Sequence, residues 1–176
     1  RQNIEQCQIL QRIEEREWCL ASIIIAPSNF VKDELLKAGA PADKIKVVPF
    51  GYEIKENSGY SQQVLNDRLR NKNKKIRILF AGNAGYRKGI HEIISIANDL
   101  RHENAEFVIA GSIGKECEFL IRSFNLSNVT LLGKLPISDL HQEYRKADIF
   151  FFPSHLEGSA MVIFEAMSWG LPVVST

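Results

Sequence analysis

At 176 residues, 45% of them hydrophobic, the chain is long enough to bury a real core and too apolar in composition to be disordered. A formal net charge of +1, with no basic stretch interleaved with aromatics in a stacking pattern, gives no basis for a nucleic-acid partner. Cys7, Cys19 and Cys117 are odd in number and widely spaced, which argues against a disulfide framework and a zinc site and fits a reducing, cytoplasmic compartment.

The first element is an amphipathic helix over residues 2–20, with Ile9, Leu10 and Ile13 on one modest apolar stripe that Cys7 and Trp18 extend. Its opening is charged, with no signal peptide and no initiator methionine, so the expectation is a piece of a longer protein. The next apolar run, Ile23-Ile24-Ile25-Ala26, is far shorter than the roughly 20 residues that span a bilayer and reads as a strand over 22–26. Ser28 then caps a helix over 29–38, with Val31, Leu35 and Ala38 on one face and Gly39 ending it. A strand over 44–48 follows, broken by Pro49-Phe50-Gly51. Two strands and two helices in fifty residues are too few to close a core alone, so residues 1–50 read as the tail of one domain.

Residues 51–75 change character, with Gly, Asn, Ser and Gln clustered ahead of a basic run from Arg68 to Arg77. They read as a linker with a short helix around 62–70. Contact of the basic run with an anionic membrane surface is an alternative, but solvation is the simpler account and no site is assigned there.

From Ile76 the pattern becomes regular. Strands are expected over 76–81, 106–110, 129–132, 148–152 and 172–175, with helices over 89–102, 114–124, 138–146 and 160–169 between them. Ile90, Ile93, Ile94, Ala97 and Leu100 form the buried stripe of the first helix, and Cys117, Leu120, Ile121 and Phe124 that of the second. Apolar strands in strict alternation with helices give an α/β fold, a doubly wound parallel sheet over residues 76–176, truncated at its C-terminal end.

In such a sheet ligands lie at the loops that follow strands, and two of these loops carry unusual residues. The second runs from Pro153 to Ser159 and feeds a helix whose carboxylate, Glu165, falls between Met161 and Trp169 on an apolar face. A carboxylate there needs partners, and a pair of vicinal hydroxyls would suit it. Eight residues earlier stands Glu157, and between them Gly158, Ser159 and Ala160 leave the first N–H groups of the helix approachable, an anion site. The plainer alternative makes both glutamates ordinary rim charges. The first loop, Gly82 to Gly89, matches neither a dinucleotide fingerprint nor a P-loop, which disfavours a nicotinamide dehydrogenase or a P-loop nucleotidase. Arg87 and Lys88 are cations at a helix start, where the macrodipole opposes them, and call for an anion in reach; the alternative is that both reach into water. Taken together, the loops read as a diphosphate site. With no Asp-x-Asp, and with His91, His102, His141 and His155 lacking metal-ligand spacing, that site is expected to hold no metal.

Four segments carry a resemblance: Ile24-Ile25-Ala26-Pro27-Ser28-Asn29-Phe30-Val31-Lys32; Ile45-Lys46-Val47-Val48-Pro49-Phe50-Gly51; Leu79-Phe80-Ala81-Gly82 with Arg87-Lys88-Gly89; and Pro153-Ser154 through Glu165-Ala166-Met167 with Gly170-Leu171-Pro172-Val173-Val174. Together they resemble the retaining glycosyltransferases of family 4 (group 1), whose GT-B fold sets two Rossmann-like domains across a cleft. The resemblance implies that residues 76–176 bind the nucleotide-sugar donor and that residues 1–50 end the acceptor-side domain. It further implies that Glu165 takes the ribose hydroxyls, that Glu157 lies against the donor sugar, that the backbone of Ala160, Met161 and Val162 receives the distal phosphate, and that Lys88 neutralises the leaving diphosphate. Leu135 matches a position near the nucleobase. Two residues depart from the pattern: Asn83 stands where a basic residue is common, with Arg87 as a substitute charge, and Ala160 stands where glycine is frequent.

The resulting expectation is a hexosyltransferase-type enzyme with Glu157 and Lys88 at the reaction centre, without cofactor, in the cytoplasm or at the cytoplasmic face of a membrane. Base, sugar and acceptor stay open among saccharides, lipids and small molecules, and the stretch alone is expected to bind donor without turnover. The rivals are a non-catalytic nucleotide-sugar-binding or interaction module, or a sugar phosphorylase or epimerase on the same fold.

Overall fold

Why the sequence alternates as it does becomes visible in a computed structural model, which describes residues 2–52, 64–66, 68, 75–124 and 126–176. The chain divides into two compact units, residues 1–51 and 52–176. The first holds α1 (Gln2–Leu20), β1 (Ile24–Ala26), α2 (Asn29–Lys37) and β2 (Ile45–Val47), with the two strands parallel. Ser28 caps α2 as expected, its hydroxyl accepting from the Val31 N–H at 3.2 Å. The core here is small: Ala26, Ala40 and Ile45, with Trp18, Ile24, Val31 and Leu35 packed on it. Among the described residues, the stripe expected of α1 reaches that core only through Trp18, and Ile9, Leu10 and Ile13 are exposed.

The second unit is a five-stranded parallel sheet, in the order β5-β4-β3-β6-β7. Its elements are β3 (Ile76–Ala81), a 3-10 turn (Tyr86–Lys88), α3 (Ile90–Asp99), β4 (Ala105–Ala110), α4 (Lys115–Phe124), β5 (Val129–Gly133), α5 (Ile137–Lys146), β6 (Ile149–Phe152), α6 (Met161–Ser168) and β7 (Val173–Ser175). The strand order runs outward from β3 in one direction and then reverses to β6, which is the doubly wound arrangement. Ile90, Ile93, Ile94 and Ala97 of α3 are buried against the strands, as their spacing requires. In α4 the stripe is shorter than expected. Cys117 is buried and Ile121 packs on the core, but Phe124, the last helical residue, is exposed.

Two glycines explain how the loops at the C-terminal edge meet. Gly111, just past β4, has φ +145°, and a Cβ there would fall 1.8 Å from the Gly82 carbonyl oxygen. Gly89, with φ +74°, would place one 1.9 Å from the carbonyl of Pro153, so the loop after β3 lies directly on the loop after β6. No other residue tolerates both that backbone and that contact.

Most of the short helix expected around 62–70 lies outside the described residues, although 64–66 and 68 are helical. Arg68 is not a solvated charge. Its guanidinium donates to the carbonyls of Trp169 (3.0 Å), Gly170 (3.1 Å) and Tyr144 (2.9 Å), and so closes the C-terminal end of α6, where a cation suits the dipole.

Candidate active site

β3, β4 and β5 each run into a glycine, Gly82, Gly111 and Gly133, so no side chains crowd the strand ends. What results is a cavity of about 270 Å³, lined by Gly82, Asn83, Ala110, Gly111, Ser112, Lys134, Leu135 and Leu140. Leu135 is thus a wall of the cavity. Asn83 joins it from the β3 loop, its side-chain oxygen accepting from the Ser112 hydroxyl at 3.2 Å.

The central feature lies where the strand order reverses. Lys88 ends the 3-10 turn after β3, Glu157 lies in the loop after β6, and the ammonium donates to the carboxylate across 69 residues of sequence. Ser154 donates to the same carboxylate oxygen at 2.5 Å, and Arg87 stands 3.5 Å from it. Lys88 also lies over the Phe152 ring, 5.1 Å from its centroid. Burial pushes the Glu157 carboxyl up, but the hydrogen bonds from Lys88 and Ser154 and the charges of Lys88 and Arg87 outweigh it and hold the group below its ordinary range. Two cations therefore share one carboxylate, leaving the cluster one positive charge in excess.

This corrects the expectation for the first loop in two respects. Arg87 and Lys88 occupy a turn that precedes the helix, with Gly89 between them and α3, so the α3 dipole is not what they answer. The anion within their reach is first of all the protein's own Glu157. Arg87 does not simply extend into water either, since it donates to the Leu156 carbonyl at 2.7 Å.

Glu165, on α6, is half-buried and accepts from the Tyr144 hydroxyl at 3.0 Å. Tyr144 is fully buried in α5, and burial, then the Glu165 charge and hydrogen bond, push its phenol well above the usual range, so it remains a donor. The apolar face thus gives Glu165 one fixed partner and leaves its second oxygen without a partner of that kind among the described residues. Between the two glutamates, Gly158 is exposed and Ser159, Ala160, Met161 and Val162 are half-buried. Ala160 precedes α6 and makes no side-chain capping hydrogen bond, so it leaves the opening N–H groups of the helix uncapped.

Tyr144, Ser154, Ser112, Lys134 and Phe152 were not singled out from the sequence. Tyr144 had a signal, since it follows Leu140 by four positions on the inner face of an otherwise polar helix. His91, Glu92 and His155 also meet here, although no spacing in the sequence announced it.

The family model for glycosyl transferases group 1 matches residues 61–176. The chain belongs to this family. Among its relatives, it is 27% identical to the sulfoquinovosyl transferase SQD2 of Arabidopsis thaliana, over 88% of this chain and 30% of that one. It is 31% identical to the uncharacterized glycosyltransferase MJ1607 of Methanocaldococcus jannaschii, over 86% of this chain and 41% of the relative. Among solved structures, Anabaena Alr3699/HepE in complex with UDP and glucose superposes with a TM-score of 0.70 at 26% identity, over 88% of this chain and 44% of that chain. The group 1 chain described here therefore spans less than half the length of these relatives, and its parallel sheet is that of the GT-B glycosyltransferases.

Proposed function

We propose that this group 1 chain carries the donor site of a retaining, metal-independent glycosyltransferase of family 4, which moves a sugar from a nucleoside diphosphate to an acceptor hydroxyl. The observation that carries this reading is the meeting of Lys88, Arg87 and Glu157 at the reversal point of the sheet, with positive charge in excess. A diphosphate is the ligand whose charge fits that excess. The cavity walled by Leu135 takes the nucleobase, the open oxygen of Glu165 takes the ribose hydroxyls, and the first N–H groups of α6 take the distal phosphate. UDP-sugars are the first donors to test, because HepE was crystallised with UDP and with UDP-glucose.

In this reaction the bond between the anomeric carbon and the phosphate oxygen breaks, and the acceptor oxygen bonds the same face of that carbon. The acceptor proton leaves with the diphosphate, so no side-chain nucleophile is required. Lys88 exchanges its Glu157 partner for the phosphate as charge grows there, a stabilisation made in the transition state. Glu157, released from Lys88, turns its carboxylate to the sugar hydroxyls. We place the reaction in the cytoplasm or, by peripheral association, at the cytoplasmic face of a membrane. No described helix is long and apolar enough to cross a membrane.

A non-catalytic donor-binding module is the second reading, favoured by Asn83 in place of a basic residue and by the internal neutralisation of Lys88. Assaying release of nucleoside diphosphate by the full-length protein, after a thermal-shift screen of UDP-, GDP- and ADP-sugars, separates the two. Release in the presence of an acceptor is expected; a donor that binds and is never turned over would select the module.

A further inference from the structure

We infer that His91, Glu92 and His155 form a binding site for one divalent transition-metal ion of the zinc class, clipping the start of α3 to the loop after β6. Both imidazoles bring Nε2 close to one oxygen of Glu92, His91 at 2.9 Å and His155 at 2.8 Å. A ring nitrogen of each histidine and a Glu92 oxygen lie within 4.8 Å of one another, and the two ring centroids are 5.2 Å apart. Tetrahedral zinc with ligands about 2.0 Å away needs donor atoms roughly 3.3 Å apart. The two N···O separations are therefore a few tenths of an ångström from those of a ligand set, and two imidazoles with a carboxylate is a donor combination that suits zinc, cobalt and nickel.

Hydrogen bonding alone leaves this cluster incomplete. The other Glu92 oxygen and His91 Nδ1 are buried atoms with no hydrogen-bond partner. One ion bound by the two Nε2 lone pairs, each neutral imidazole keeping its proton on Nδ1, gives the Glu92 carboxylate a cation that can take both of its oxygens. The ligands are held in advance on both sides. His91 and Glu92 are fixed in the first turn of α3, while the loop is tied down by the His155 backbone N–H, which donates to the Arg87 carbonyl at 3.0 Å. Side-chain exposures of 42% for His91, 29% for Glu92 and 51% for His155 leave an entry path and a fourth position for water.

His155 precedes Glu157 by two residues and Lys88 precedes Glu92 by four, so the clip joins the segments that carry the Lys88–Glu157 pair. The ion makes no contact with reacting atoms in this assignment. Its role is to hold the loop, and it is separate from the transfer chemistry proposed above.

The test is calorimetric titration of chelator-stripped full-length protein with Zn²⁺, and with Co²⁺ followed by its visible absorption. Wild type is expected to bind one equivalent at micromolar concentration, to raise its melting temperature on binding, and to give the intense spectrum of tetrahedral cobalt. His155→Gln, an exposed loop change, should weaken binding by at least the roughly 10- to 100-fold that loss of a mere outer-shell partner causes, and H91Q/H155Q should abolish it; His102→Gln should change nothing. Absence of stoichiometric binding in wild type, or equal binding by H91Q/H155Q, would overturn the assignment.

Discussion

β3 bears a charge cluster at each end, and the two are built differently. Near its start, Arg77 donates to Glu106 and to Glu143, each at 2.6 Å, and Lys146 donates to Glu143 at 2.8 Å. Two cations face two carboxylates there. Beyond its other end, Arg87 and Lys88 share Glu157 alone, beside a cavity and the uncapped start of α6. The first cluster is balanced and has no use for a ligand. The second is built from the same chemistry with one carboxylate fewer, and that imbalance is what marks it as a site. Ion pairing alone would have ranked the two alike, since Arg77 and Lys88 are 17% and 18% exposed.

The largest effect should come from removing the unbalanced charge. Lys88→Ala in the full-length protein is expected to lower the transfer rate by at least about 10²- to 10³-fold, the scale of losing one preorganised charge-stabilising donor, while circular dichroism and melting stay close to wild type. An unchanged rate would make the two clusters equivalent. Arg77→Met should do the opposite, leaving 10%-exposed Glu143 with Lys146 as its remaining cation; a stability loss of about 3 kcal/mol by urea unfolding is expected, with little change in donor affinity of the folded protein. Glu165→Ala removes a charged acceptor, so nucleotide affinity measured by calorimetry should fall by about tenfold to a hundredfold, the equivalent of about 1.5 to 3 kcal/mol. Equal affinity would separate Glu165 from the donor.

The smallest effect is common to both ends. For Glu143, as for Glu157, burial pushes the carboxyl up and is outweighed by donors, here Lys146 and Arg77, so the folded-state value lies below the ordinary carboxylate range. Carboxyls depressed on folding stabilise the protein above the unfolded value and lose that contribution as pH falls through the folded one. Melting temperature should therefore hold down to about pH 5 and decline below it, and the decline should be shallower in Glu157→Gln. A profile indifferent to that substitution would show that the Lys88–Glu157 pair adds nothing to stability.

The strand and helix pattern of residues 76–176 was legible because each element repeats a local period: Ile90, Ile93, Ile94 and Ala97 point inward whatever they meet. The stripe of α1 was legible too, but Ile9, Leu10 and Ile13 show that periodicity states which face is apolar and not what covers it. At the site, Lys88, Glu157 and Glu165 stood out as charges in unusual places. Their partners did not. The pairing of Arg87 and Lys88 with Glu157, of Tyr144 with Glu165, and of His91 with Glu92 and His155 had no trace in spacing, and reading the two cations as waiting for an outside anion overlooked the internal one.

By itself, then, the amino-acid order determined the α/β class, the loops that carry charge and the family, since these depend on residues near one another in the chain. Which cation meets which carboxylate was decided only when the strand order reversed at β3 and Gly89 let the Pro153 backbone come within contact distance. Coulomb energy and hydrogen bonding depend on separation in space, and only the tertiary structure converts 69 residues of sequence into a single ion pair.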